Sequence, residues 1–325
     1  MTSFSDLQIQ FESYLNTIQF KKEPKGLYEA IDYILKLGGK RVRPTLVLMG
    51  CELMKGKSES ALPAAAAIEL FHNFSLIHDD IMDHAPLRRG KPTVHEAYDL
   101  DTAILSGDAA LVMAYDELIK LEIPKISEAI KLFNKTALEV CEGQQMDMIF
   151  ETKQKVTTAE YLEMIRLKTA VLLGCAIQLG AMIAGADEKQ QKLVYEFGME
   201  TGLAFQLQDD ILDTFGDPKT FGKQVGGDIL QNKKTFLLLT AFENADPTQL
   251  TDLLFWLMKN DSKKPNEKVE AIKKIYNDLK VREQAEEQMK LHFDKALKAV
   301  KQLKLEDAKK QVLIDFATAL MKREK

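Results

Sequence analysis

The chain has 325 residues, of which 46% are hydrophobic and 29% charged, with 9 prolines and 17 glycines. That balance excludes a disordered or collagen-like chain and predicts a large core built from long, rarely interrupted elements. A net charge of −5 argues against nucleic acid as the main partner. The total hides a division: residues 259–325 carry 18 Lys/Arg against 12 Asp/Glu, a balance of +6, which leaves −11 for residues 1–258. The basic end reads as a solvated helical face before it reads as an anion- or lipid-binding surface.

Along the chain, Met1-Thr2-Ser3-Phe4-Ser5-Asp6 shows neither the basic nor the apolar run of a secretory signal. From there apolar residues recur at helical spacing, and no stretch alternates strictly enough to predict a sheet. Breaks are expected at Lys55–Ser60, His84–Thr93, Glu151–Thr158, Thr214–Asp228, Asn244–Thr248 and Asp261–Glu267, each holding turn formers or a polar run. The segment Ala170–Ala186 resembles a membrane span but falls short of the ~20 residues a span needs and is interrupted by Gln178, which predicts a helix buried on nearly all sides. Near the C-terminus, Met289, Phe293, Ala296, Leu297, Val300 and Leu303 form the stripe of an amphipathic helix. Cys51, Cys141 and Cys175 are widely spaced among apolar neighbours and read as reduced core residues of a cytoplasmic protein. The pattern predicts an all-α protein of one domain, residues 1–325, with no transmembrane segment.

Two segments resemble each other, Leu76–Asp83 and Phe205–Asp213, and both carry Asp-Asp-x-x-Asp at the end of an apolar helical run. On a helix, Asp79 and Asp83 share a face, as do Asp209 and Asp213. Paired carboxylates repel unless a cation sits between them, and hard oxygen donors suit magnesium, which takes one or two carboxylates together with waters and phosphates. A single such motif could be surface charge near a helix end; two copies after two apolar helices point to metal-bound diphosphate. Cations stand near both. Gly38-Gly39-Lys40-Arg41-Val42-Arg43-Pro44 packs three behind two glycines, without the spacing of a P-loop, and Arg88 and Arg89 follow the first motif. Lys223 and Lys233 follow the second.

The ordered set Gly-Gly-Lys-x-x-Arg-Pro, His72, Asp79–Asp83, Arg88-Arg89-Gly90, Gly143-Gln144-Gln145-Met146-Asp147, Lys168-Thr169, Phe205–Asp213, Gly222-Lys223 and Lys233 resembles the trans-isoprenyl diphosphate synthases, over the span from Gly38 to Lys233. The resemblance implies a single large bundle of mostly antiparallel helices around a deep central cavity, working as a homodimer. It implies that Asp79, Asp83, Asp209 and Asp213 hold about three magnesium ions on an allylic diphosphate. Arg88, Lys168, Lys223 and Lys233 would neutralise that diphosphate, and Lys40, Arg43, His72 and Arg89 would hold isopentenyl diphosphate. Thr169 and Gln206 would place neutral oxygens near the allylic cation, with Glu142, Gln144 and Asp147 as weaker candidates and Asp80 and Asp210 as supporting residues. Phe74, with Ser75 beside it and no insertion in the first motif, would stop the growing chain at geranylgeranyl diphosphate, with farnesyl diphosphate as the alternative. A class I terpene cyclase and a non-catalytic subunit fit less well because both aspartate motifs are complete, and a longer-chain synthase because position 74 is aromatic where the resemblance would give such an enzyme a small residue.

Overall fold

The computed structural model describes residues 1–216, 226–258 and 265–321. Its first ten α-helices are α1 (Phe4–Leu15), α2 (Lys25–Lys36), α3 (Val42–Leu53), α4 (Leu62–Met82), α5 (Val94–Ala97), α6 (Leu100–Leu118), α7 (Ile126–Thr152), α8 (Thr158–Ile165), α9 (Val171–Ile183) and α10 (Glu188–Phe215). Further helices follow at Gly227–Leu230, Phe236–Asn244, Pro247–Met258, Pro265–Asp278, Val281–Gln302 and Asp307–Met321. The all-α expectation is met. The departure from it is a hairpin of two-residue strands, β1 (Leu87–Arg88) and β2 (Lys91–Pro92), inside the expected break at His84–Thr93. Arg89 (φ 53°) and Gly90 (φ 74°) form its turn, the two left-handed residues that a tight hairpin needs.

The chain divides into two compact units. The first comprises Met1–Leu138, Leu172–Tyr195 and Leu303–Leu305; the second comprises Glu139–Val171, Glu196–Gln302 and Glu306–Lys325. In the first unit α4 is the buried spine. Its run Ala64–Leu70 is almost wholly inside, and a 3-10 turn at Ser58–Ala61 feeds it with Pro63 near its start, where the missing N–H costs nothing. Small residues let the neighbouring helices of this unit approach. A Cβ on Gly180 of α9 would lie 1.9 Å from the Val47 carbonyl oxygen of α3, and one on Gly50 would lie 2.3 Å from that of Ile177. The second unit has its own core, built from Tyr161, Met164, Leu203, Leu207, Ile211, Leu237, Ile272 and Tyr276 with their neighbours.

The stripe expected near the C-terminus lies on helix Val281–Gln302 up to Val300, with Ala296 and Val300 buried, and its last member, buried Leu303, follows just beyond the helix. Two helical stretches are long and apolar enough to cross a membrane, Ser58–Met82 and Thr158–Ile183, the second covering most of the expected Ala170–Ala186 segment. Their most apolar windows are 61% and 78% buried, which is how core helices behave. One expectation needs correcting. Cys51 and Cys175 are buried, but Cys141 is exposed on α7. Its neighbour Val140 is buried, and a helix turns 100° per residue, so adjacency in sequence does not place both on one face.

Gly180→Ala tests the α3–α9 crossing. Helix propensity alone favours alanine by about 1 kcal/mol, whereas overpacking against a backbone carbonyl costs about 1–3 kcal/mol. A backbone oxygen cannot swing aside, so the substitution should lower the urea midpoint with little change in the slope of the transition.

Candidate active site

The first aspartate motif closes α4. Asp83 donates its backbone N–H to the Asp79 carbonyl at 2.8 Å, so the two carboxylates stand one helical turn apart on one side. The helix then ends on left-handed His84 (φ 49°), with Ala85 N–H bonded to the Asp80 carbonyl at 2.9 Å and His84 N–H to that of Ile81 at 3.2 Å. This double bond turns the chain sharply and sends it into the hairpin, which is tied back by Thr93 Oγ1 to the Ala85 carbonyl and by Tyr33 Oη to that of Pro92. The hairpin returns Arg88 to the helix it left. Its Nε and Nη2 each meet an Asp80 oxygen at 2.7 Å, and Nη2 lies 3.6 Å from Asp79. Asp80 is 2% exposed, and burial holds its carboxyl above the ordinary value despite Arg88. Asp80 is thus paired within the fold, and much of the Arg88 fork is spent on it.

Beside this motif, in the same unit, cations gather around one buried carboxylate. Glu69 is 3% exposed, accepts from Arg41 and Asn73, and shares Arg41 with Glu12. Arg41 caps α3 from a left-handed conformation (φ 45°) and donates to the Leu35 carbonyl, so it is an anchor. Arg43 lies two residues along, with Nη1 3.2 Å from His72 Nε2. The Arg89 guanidinium lies over Gly39, where a Cβ would come within 2.8 Å of it, so the second glycine of the pair makes room for a cation. Burial, then the charge of Arg89, draws Arg43 down to about 10, with Glu69 opposing. Burial and the charges of Arg43, Arg89, Arg88 and Arg41 hold His72 well below the ordinary histidine value, so it stands as a neutral imidazole. Lys40 is exposed at the edge of the same loop. One buried carboxylate faces several cations, an excess that suits an anionic ligand.

The second motif lies in the last turns of α10, in the second unit. Asp209 is partly buried, and Asp210, 3% exposed, accepts from Tyr161 Oη at 2.5 Å and from Gln206 Nε2 at 3.4 Å. Burial, then the charge of Asp228, pushes Asp210 well above the ordinary carboxylate value. Asp213 Oδ2 accepts the backbone N–H of Asp228 at 2.9 Å and so caps the short helix Gly227–Leu230. In this unit Lys168 and Thr169 sit on a π-helical turn, Arg166–Ala170, between α8 and α9. Lys168 donates to Asp147 at 2.7 Å, and Gly143 allows the contact, since a Cβ there would lie 2.3 Å from the Lys168 backbone nitrogen. Lys233 is exposed, 3.9 Å from Asp228, whereas Lys234 binds the closing carbonyls of α7, including those of Phe150 and Lys153. Glu142 is exposed on α7 and Gln144 partly buried. Lys223 lies outside the described residues.

Sequence reasoning missed Glu69, Tyr161 and the π turn. No local signal marks Glu69 or Tyr161, because each matters through a partner distant in sequence. Among the described residues no three His, Cys, Asp or Glu side chains gather into a metal cage. Each helix instead offers hard carboxylates on one side, with the middle aspartate drawn away. That donor set fits magnesium, which keeps waters and binds substrate phosphates.

The state of His72 gives stability a pH dependence. The unfolded histidine takes a proton near 6.5, and the folded one refuses it until a lower pH. The native state therefore loses stability as pH falls below 6.5, by at most about 1.4 kcal/mol per unit. Urea midpoints followed from pH 7.5 to 5.5 should fall less steeply in His72→Gln than in the native protein.

The match to known proteins agrees with this geometry. Residues 24–279 match the polyprenyl synthetase family model. A short chain isoprenyl diphosphate synthase of Methanocaldococcus jannaschii is 44% identical over 76% of this chain and 75% of its own. A geranylgeranyl pyrophosphate synthase of Geoglobus acetivorans is 44% identical over 69% of this chain and 70% of its own. Geranylfarnesyl diphosphate synthases of Natronomonas pharaonis and Aeropyrum pernix are each 40% identical. A crystal structure of a geranylgeranyl pyrophosphate synthase superimposes with a TM-score of 0.95 at 46% identity, covering 100% of both chains. With both aspartate motifs and the cation cluster inside or beside the matched span, the chain belongs to the polyprenyl synthetase family, and it is a prenyltransferase.

Proposed function

We propose that the protein condenses isopentenyl diphosphate with allylic diphosphates and stops mainly at geranylgeranyl diphosphate, with residues 1–325 acting as one catalytic domain. The observation that carries this reading is the excess of cations beside the Asp79–Asp83 carboxylates. Lys40, Arg43, neutral His72 and Arg89 form an anion site of their own, distinct in chemistry from a carboxylate pair that needs a metal. The two together suit one diphosphate bound directly by side chains and another bound through metal.

In this reading Asp79 and Asp83, and likewise Asp209 and Asp213, would be the carboxylates that hold magnesium, about three ions in all, for the allylic diphosphate. Magnesium, when bound, supplies Lewis-acid stabilisation of charge on the leaving diphosphate. Lys168, Lys223 and Lys233 add fixed positive charge to the same group. Arg88 contributes while clamping Asp80. Arg43 donates to isopentenyl diphosphate, and His72 orients Arg43 by accepting from it. Gln206 spends its N–H on Asp210, so its carbonyl oxygen is available to the allylic cation, as is the Thr169 hydroxyl. The C–O bond of the allylic diphosphate breaks, the isopentenyl double bond attacks the cation, and the released diphosphate takes the departing proton. Apolar walls are needed because water would capture the cation.

Phe74 and Ser75 support the product assignment. Phe74 is half-buried on α4 and Ser75 bonds back to the His72 carbonyl at 2.8 Å, a small side chain turned to its own helix. The geranylfarnesyl synthases at 40% identity favour a second reading, a product one isoprene unit longer. The reading includes a homodimer, since Leu105 and Val112 on α6 and Ile119 at its C-cap recur every seventh residue at 59%, 62% and 65% exposure, an apolar stripe suited to a second copy. The buried thiols Cys51 and Cys175 fit a reducing compartment such as the cytoplasm.

Purified protein given magnesium, isopentenyl diphosphate and each allylic starter should yield geranylgeranyl diphosphate by mass spectrometry. Products formed without isopentenyl diphosphate would instead indicate a cyclase. Asp79→Ala and Asp209→Ala should keep the helical circular dichroism and lower turnover by about two orders of magnitude or more. Unchanged turnover at saturating magnesium would refute the metal assignment. Phe74→Ala should lengthen the products; an unchanged distribution in the active variant places the floor elsewhere.

A further inference from the structure

Three aromatic rings lie along one stripe of α4 at spacings of three and four: Phe71, Phe74 and His78. Phe71 is 1% exposed and anchored edge-on to Phe133 of α7 at 5.4 Å, which in turn meets Tyr115 of α6 at 5.3 Å. Phe74 touches Phe71 at 5.6 Å on one side and His78, edge-on, at 4.8 Å on the other. Being only half-buried, Phe74 is held by these two rings rather than by a closed cavity.

His78 is itself seated by α6. Its Nε2 lies 3.2 Å from the Ile104 carbonyl oxygen and 3.9 Å from Asp108 Oδ1. The ring rests over Gly107, where a Cβ would come within 2.3 Å of Nε2 and 2.6 Å of Cδ2. Gly107 stands in the middle of the nineteen-residue helix Leu100–Leu118, where glycine weakens the helix relative to alanine and therefore needs a packing reason. His78 supplies that reason.

We infer that His78 and Gly107 set product length by fixing the ring of Phe74, with His78 as the prop and Gly107 as its seat. This rests on the reading that Phe74 stops the growing chain. A prenyl tail exerts no directional force beyond packing, so what stops it is the position and stiffness of the ring it meets. A ring bracketed by Phe71 and a seated His78 cannot turn aside; the same ring without His78 can rotate into the vacated space. The nature of residues 78 and 107 thus becomes part of the specificity, although neither need touch the tail.

The test compares the native protein with Phe74→Ala, His78→Ala, Gly107→Ala and the double variant His78→Ala/Gly107→Ala. Products are separated by mass spectrometry after incubation with magnesium, a farnesyl starter or a geranyl starter, and excess isopentenyl diphosphate. Length is read per product formed, so reduced turnover does not mask it. His78→Ala should shift the main product longer by one isoprene unit. Gly107→Ala should press His78 onto Phe74 and shift it shorter by one. The double variant should match His78→Ala, because the added methyl then has no ring to push, a non-additivity that a general effect on helix stability would not produce. If Phe74→Ala lengthens the products while His78→Ala leaves them unchanged, the inference is overturned and the Phe74 reading stands. If Phe74→Ala changes nothing, both fall. A double variant unlike His78→Ala removes Gly107 from the device. Should Gly107→Ala fail to fold by circular dichroism, His78→Ala decides alone.

Discussion

The structure is organised around carboxylates set at the wrong ends of helices. Asp79, Asp80 and Asp83 close α4, and Asp209, Asp210 and Asp213 fall in the last turns of α10, with no basic residue in the last turn of either helix. A helix C-terminus already carries a partial negative charge, so each aspartate adds to an unfavourable field. Two such charges about 6 Å apart repel by roughly 3 kcal/mol at an effective dielectric of 20. The fold relieves part of this itself. In each motif the middle aspartate is buried and given a donor, the Arg88 fork in one and the Tyr161 hydroxyl in the other. The outer aspartates add hard carboxylate oxygens on one side of each helix, a donor set that suits the magnesium proposed for them.

Much nearby structure follows from meeting it. The left-handed turn at His84, the hairpin and its tether to Tyr33 together bring Arg88 back to Asp80, eight residues before it in the chain. The left-handed φ of Arg41 and Arg89, uncommon outside glycine, marks the two places where the backbone is held to aim or anchor a cation. Glu69 lets several arginines crowd one region, and because it is one carboxylate among several cations it leaves their charge incompletely answered. Full neutralisation would make a stable core with nothing left for a ligand; a bare cluster would repel itself apart.

Glycines supply the spacing. Gly50 and Gly180 let α3 meet α9 backbone to backbone, Gly143 lets α7 approach the π turn that carries Lys168, and Gly107 seats His78. In each case a missing Cβ sets how closely two elements, or an element and a side chain, approach. Interiors packed to this density transmit small displacements, which is why residues without contact to any ligand can matter to the chemistry.

The sequence alone determined the helical class, the two aspartate motifs and the loops of cations, because helical periodicity, i to i+4 spacing and charge are local properties. It also separated Asp80 and Asp210 from the outer aspartates, since a helical wheel needs no tertiary information. It misplaced Cys141, because apolar neighbours in sequence do not share its face, and it left out the hairpin, whose strands are too short to alternate. The tertiary structure alone decided that Arg88 is clamped by Asp80, that Tyr161 answers Asp210 from 49 residues away, that Glu69 organises the arginines, and that His78 stands between Phe74 and Gly107. Those are contacts between side chains far apart in the chain. Their partners are chosen by helix packing, and packing distance is set by which residue lacks a side chain at the point of closest approach.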